Sequence, residues 1–225
     1  MSLHFEHELD ELKQKLLAMA KQAEKNVSQA LKAMTDRSDD LARQVKEADN
    51  ILDEFEKDID DLSITLLAKA PLASQLRLIT VAMKASHDLE RVGDEATTIA
   101  RRTLDLNVEP AISVGVDLNQ MAASGLQMLR EALEAFVNHD TAKARAIIPR
   151  DKQIDALNKQ LHRELTLYMA AQPSTIRRCL NLMTISKSLE RIADHATNIA
   201  EEVVYLHEAV DIRHDPEIKR VKQAD

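Results

Sequence analysis

The stretch LERVGDEATTIA, beginning at Leu89, returns as LERIADHATNIA from Leu189, identical at eight of twelve positions and displaced by 100 residues. A chain that writes the same acidic dozen twice at that distance is built from two copies of one unit. Each copy must then leave equivalent residues on equivalent faces. The correspondence extends upstream, where Asp49 and Asp53 match Asp151 and Asp155 at an offset of 102. The offset falls to 100 because the first copy carries two extra residues near Leu72 and Ala73.

Apolar spacing gives the unit its content. Leu12, Leu16, Met19, Ala23, Val27 and Ala30 step by three and four, which makes one buried stripe on a first helix between Leu9 and Met34. After RSDDL, whose Ser and Asp are capping residues, Leu41, Val45, Ala48, Leu52, Phe55, Ile59, Leu62 and Leu66 keep that rhythm over seven intervals, predicting one long second helix. Past Pro71, with Ser74 as the expected cap, a third stripe runs from Ala82 to Leu106. The second copy repeats the plan with a turn at His139-Asp140 and with Pro173 and Ser174 before its last helix. Only 3 Gly and no Trp, with few strand-forming residues, agree with long helices. The expected fold is all-α: two tandem antiparallel three-helix bundles related by internal duplication, over 1–108 and 109–207. Residues 208–225 read as a charged, mobile C-terminal tail with a turn at Asp215-Pro216.

Composition removes several classes of function. No apolar run reaches the ~18 residues a membrane span needs, and the acidic, amphipathic start is unlike a signal peptide, so a cytoplasmic location is expected. Cys179 is the sole cysteine, which rules out an intramolecular disulfide and a Cys-based zinc cage. A net charge of −8 argues against nucleic acid and for cations or basic protein surfaces as partners. Gly93, Gly115 and Gly125 form no glycine-rich phosphate loop.

The repeated carboxylates are the candidate site. Glu90 and Asp94 lie four residues apart, one step past the core stripe; Asp49 and Asp53 stand at the same angular offset on the second helix. Equal offsets on antiparallel neighbours put both pairs on one face, and for one of the two possible hands of the bundle they converge. Four carboxylates then share each face: Asp49, Asp53, Glu90 and Asp94, then Asp151, Asp155, Glu190 and Asp194. Like charges at that spacing oppose folding, so something positive compensates: metal ions, Arg or Lys from the same bundle, or a basic partner. The alternative is a simply solvated acidic face. Of the 38 acidic side chains, setting aside those eight leaves 30, equal to the 30 basic ones.

These motifs, with DNILDEF and DKQIDAL upstream and FEHELDELKQKLLAMA at the start, resemble the PhoU family of cytoplasmic phosphate-uptake regulators over residues 3–207. The resemblance implies iron, zinc or nickel ions on the acidic faces and frequent homodimers. It also implies a regulator that couples the phosphate ABC transporter, through its ATPase, to a sensor histidine kinase and keeps the starvation response off when phosphate is plentiful. Membrane association would come only through those partners.

The copies also differ. His195 replaces Glu95 and is read as a hydrogen-bonding neighbour of the acidic face, with an occasional metal ligand as the alternative. Arg101 stands where Glu201 stands in the second copy, which predicts more bound metal charge there. Pro149 predicts a kink just before Asp151, and Gly93 a close helix approach. Two rival readings are a carboxylate-bridged metal enzyme and a purely structural adaptor. Di-iron bundles place Glu-x-x-His pairs inside the core; here the acids flank it and no histidine has a Glu three residues before it.

Overall fold

The computed structural model describes residues 3–70, 72–112 and 118–213, which form eight α-helices, two 3₁₀ turns and no strand. The first copy supplies α1 (Leu3–Asp36), α2 (Asp39–Glu47), α3 (Asp49–Leu67) and α4 (Ala73–Asn107). The second supplies α5 (Leu118–Asn138), α6 (Thr141–Ile147), α7 (Asp151–Ala171) and α8 (Ile176–Glu208), with 3₁₀ turns at Ile148–Arg150 and Pro173–Thr175. Pro71, Gly115 and the Asp215-Pro216 pair lie outside the described residues.

The duplication is visible in backbone detail. Arg37 and His139, 102 residues apart, both adopt positive φ (51° and 58°) where α1 and α5 end. In each case the following amide reaches back to close the helix, Ser38 N to Ala33 O at 2.9 Å and Asp140 N to Ala135 O at 3.0 Å. The same residues then cap the next helix, Ser38 accepting from Leu41 N and Asp140 from Lys143 N.

Two local expectations are corrected. The unbroken second helix is in fact broken at Ala48 (φ −83°, ψ −1°), where Ile51 N bonds back to Ala48 O at 3.2 Å. One tightened turn hardly alters the phase of the apolar stripe, so Ala42, Val45, Leu52, Ile59 and Leu66 are all still buried and periodicity does not register the break. The second copy breaks at the equivalent place, ahead of Asp151, as Pro149 predicts. Ser74 is not a cap: α4 starts at Ala73, and the extended Leu72 takes the N-cap position with no side-chain bond, its carbonyl accepting from Gln75 and Leu76.

Helices α4 and α8 lie side by side at the centre; α1, α2 and α3 pack on α4, and α5, α6 and α7 on α8. Both units therefore feed one continuous core, from Leu12, Met19 and Leu52 through Leu89 and Ile99 to Met121, Leu129, Ile154, Leu189 and Ile199. A satellite cluster of Leu161, Leu165 and the fully buried Cys179 sits beside it. The beginning of the expected mobile tail belongs to this fold: the chain turns at Ala209 (φ 57°), and Ile212 is buried in the core. Among the described residues no helix is long and apolar enough to cross a membrane.

Candidate functional site

In the first half, the break at Ala48 makes Asp49 the opening residue of α3, with Asp53 one turn later. A carboxylate in the first turn faces the unpaired amides of a helix start, a favourable placement for negative charge. Opposite, α4 presents Glu90 and Asp94 on either side of Gly93. A Cβ on Gly93 would stand 2.3 Å from Leu52 Cδ1, so the bare glycine lets the two helices close at this level with Leu52 in its present rotamer.

The closure brings the four acids into one field. Burial pushes the Asp94 carboxyl above the ordinary range; Arg91 pulls the other way, and Asp49 and Asp53 add to the rise. Burial raises Glu90 as well, with Asp94 the next cause. Arg91 contacts both, with Nε 3.2 Å from Glu90 Oε2 and Nη1 3.0 Å from Asp94 Oδ2. The Thr97 hydroxyl donates to Asp49 Oδ1 at 2.8 Å, and Arg101 stands 4.0 Å from Asp49 Oδ2.

The second half matches it in outline. Asp151 opens α7, Asp155 follows one turn on, and Glu190 and Asp194 lie on α8. Asp194 keeps part of its surface in water, but protein crowds the rest. That loss of hydration raises its carboxyl first, then Glu190 and Asp155, against the pull of Lys187 and His195. Lys187 pairs with Glu190. His195 is a hydrogen-bonding neighbour: its Nδ1 lies 2.8 Å from Asp88 Oδ1, which also accepts from Asn198 Nδ2 at 3.0 Å. With Arg191–Glu95 at 2.9 Å and Lys84–Glu202 at 3.0 Å, these bonds form a polar seam between α4 and α8.

Part of the compensating charge foreseen from the sequence is thus Arg and Lys of the same chain. The donor set nonetheless fits a cation. Glu90 and Glu190 each bury an Oε2 whose neighbour is a cationic side chain, Arg91 and Lys187, and the buried Thr197 hydroxyl finds no hydrogen-bond partner among the described residues. All-oxygen sites of this kind suit hard ions. The quartets do not by themselves close round a common point. Among the described residues the one set of three ligating side chains within 4.8 Å of each other is Glu56, His87 and Glu90. The sequence reading missed Glu56 and His87. Their signal was present: His87 precedes Glu90 by three residues and Glu56 follows Asp53 by three, so each sits on an acidic face one turn along.

The PhoU domain family model matches residues 16–103 and 118–203, one match on each copy. A phosphate-specific transport system accessory protein PhoU homolog from Pseudomonas aeruginosa is 41% identical over 216 residues, 95% of this chain and 89% of that protein. The phosphate-specific transport system accessory protein PhoU of Escherichia coli K12 is 33% identical over 215 residues, 95% of this chain and 89% of its own length. Two crystal structures share the fold. PhoU from Pseudomonas aeruginosa superposes with a TM-score of 0.88 at 40% identity, over 92% of this chain and 100% of that one. The phosphate transport system regulatory protein PhoU from Streptococcus pneumoniae superposes with 0.85 at 32%, over 92% and 99%.

Proposed function

The chain belongs to the PhoU family, and from that premise we propose that it is a cytoplasmic negative regulator of phosphate uptake and of phosphate-starvation signalling. It acts by contact, as a homodimer, with the ATPase of a phosphate ABC transporter and with a sensor histidine kinase. It is not an enzyme. The observation that carries the reading is coverage: relatives named as accessory proteins of phosphate-specific transport align with 95% of the chain, so the match spans both copies. Long helical faces joined by one core suit a scaffold whose output is a binding state of its partners.

Metal on the acidic faces is part of this proposal. Asp49, Asp53, Glu90 and Asp94 would hold ions in the first half, and Asp151, Asp155, Glu190 and Asp194 in the second, the ion being iron, zinc or nickel. A bound ion supplies positive charge that offsets the repulsion within each quartet. The chain's own part is positional: Thr97 fixes the Asp49 carboxylate by its hydrogen bond, and Arg91 holds Glu90 and Asp94 together.

The test is complementation. In a bacterium whose own PhoU gene is deleted, expression of this chain should return a phosphate-starvation reporter to its repressed level on phosphate-rich medium. A reporter that stays high, with the protein present and folded, removes the regulatory reading. Elemental mass spectrometry of protein purified without chelator, beside a variant with Glu90, Asp94, Glu190 and Asp194 changed to Gln or Asn, tests the metal part separately.

A further inference from the structure

We infer that the first half carries a separate metal site for a borderline transition ion of the zinc class, formed by Glu56, His87 and Glu90, and that the second half has lost it. The inference assumes nothing about transporter or kinase; it shares only Glu90 with the acidic face proposed above.

The geometry is close to a bound state. His87 Nδ1 lies 3.0 Å from Glu56 Oε1, and one ligating atom from each of the three side chains falls within 4.8 Å of the others. Two ligands of a tetrahedral zinc ion stand roughly 3.3 Å apart, given metal–ligand distances near 2.0–2.1 Å. The His87–Glu56 pair is therefore already at ligand spacing, and side-chain rotation brings in Glu90. Access is direct: the His87 side chain is 59% exposed, above the shielded Glu56 and Glu90 at 26% and 13%. An ion enters from solvent without opening the core.

A surface ion pair would account for His87 and Glu56 alone. The third donor does not fit that account. Glu90 is shielded beside them, its side chain 13% exposed, with a ligating oxygen within 4.8 Å of both His87 and Glu56. A dication seated between Glu90 and Glu56 offsets the charge of both carboxylates. An imidazole beside two carboxylates offers nitrogen and oxygen donors, both of which zinc accepts, whereas the all-oxygen quartet suits harder ions.

The duplication supplies an internal control. Glu56 corresponds to Asn158 and His87 to Lys187, at the offsets of 102 and 100 that relate the copies. Asn158 is buried and accepts a hydrogen bond from Ser186, and the Lys187 ammonium pairs with Glu190. The second half thus fills with a fixed cation the place where the first half offers an imidazole. For this class of metal the asymmetry runs opposite to the expectation drawn from Arg101 and Glu201.

The full chain, stripped with chelator, is titrated with zinc by calorimetry, with cobalt(II) absorption reporting nitrogen ligation. Zinc should bind, and His87→Gln and Glu56→Gln should each weaken it by roughly tenfold or more, since even second-shell losses cost 10–100-fold. Asp49→Asn and Asp94→Asn should leave this site in place. The pair Asn158→Glu with Lys187→His should add a second equivalent. His87 is exposed, so its variant keeps the fold, which circular dichroism checks. No zinc binding by the unaltered chain overturns the inference, and so does binding indifferent to His87→Gln. If only the Asp variants lose zinc, the acidic face holds the ion, and the metal part of the proposed function stands while this site falls. Loss in both sets makes a single shared cluster and overturns the separate site. A double variant that gains nothing overturns the assigned asymmetry, and the complementation reporter reads the regulatory role independently of all these outcomes.

Discussion

Gly93 and Leu52 meet so closely that a Cβ on the glycine would stand 2.3 Å from Leu52 Cδ1. Leu52 is almost fully buried between Asp49 and Asp53, so its side chain has little room to yield. The contact sets the spacing of α3 and α4 at the level of the acidic quartet. Gly93→Ala should destabilise the chain by about 1–3 kcal/mol in urea unfolding, the usual cost of overpacking. Leu52→Ala, tested in the same background, should cost less than it does in the native chain, because the new methyl occupies part of the space it leaves. Strictly additive losses would show that the two residues do not share this space.

Asp194 carries a raised carboxyl in a crowded, acidic setting. A carboxyl whose folded value lies above its unfolded one binds more protons in the folded chain, so stability falls as pH rises from the ordinary carboxylate range through the raised value. Asp194→Asn should therefore stabilise metal-free protein at neutral pH, by roughly 0.2–0.5 kcal/mol for the relieved like-charge pair with Glu190. The advantage should vanish as the pH drops below the ordinary carboxylate range. A variant less stable than the parent at neutral pH, in chelator, would contradict the raised carboxyl.

Asp88 gathers His195 and Asn198 of α8 onto α4, and it is buried. The equivalent position in the second copy is Ser188, so nothing mirrors the arrangement. Asp88→Ala should cost about 1–3 kcal/mol, because two polar side chains lose their acceptor at a largely buried seam. Chemical denaturation measures it; a change within a few tenths of a kcal/mol would mean that water replaces the carboxylate freely.

Pro149 lies within the 3₁₀ turn that separates α6 from α7, yet α2 and α3 part at the equivalent place without a proline. The break is therefore a property of the packing, and Pro149→Ala should leave it intact. Helical content by circular dichroism should stay unchanged, and stability should shift by no more than about 1 kcal/mol. A gain in helix would make the proline the cause.

The sequence by itself determined the number of copies, the helical class, the offsets between equivalent residues and the eight carboxylates on their faces. All of these follow from periodicity, a property of one helix against a core, which a single strand of sequence records. Four things were decided only by tertiary structure. The hand of each bundle, which the repeat left open, brought Asp94 within the field of Asp49 and Asp53. Packing of α4 on α8 joined both units into one core. The break at Ala48 and the meeting of His87 with Glu56 depended on which helix stands opposite. Stripe spacing says how far a residue turns from the core, and it carries no record of what the neighbouring helix places across from it.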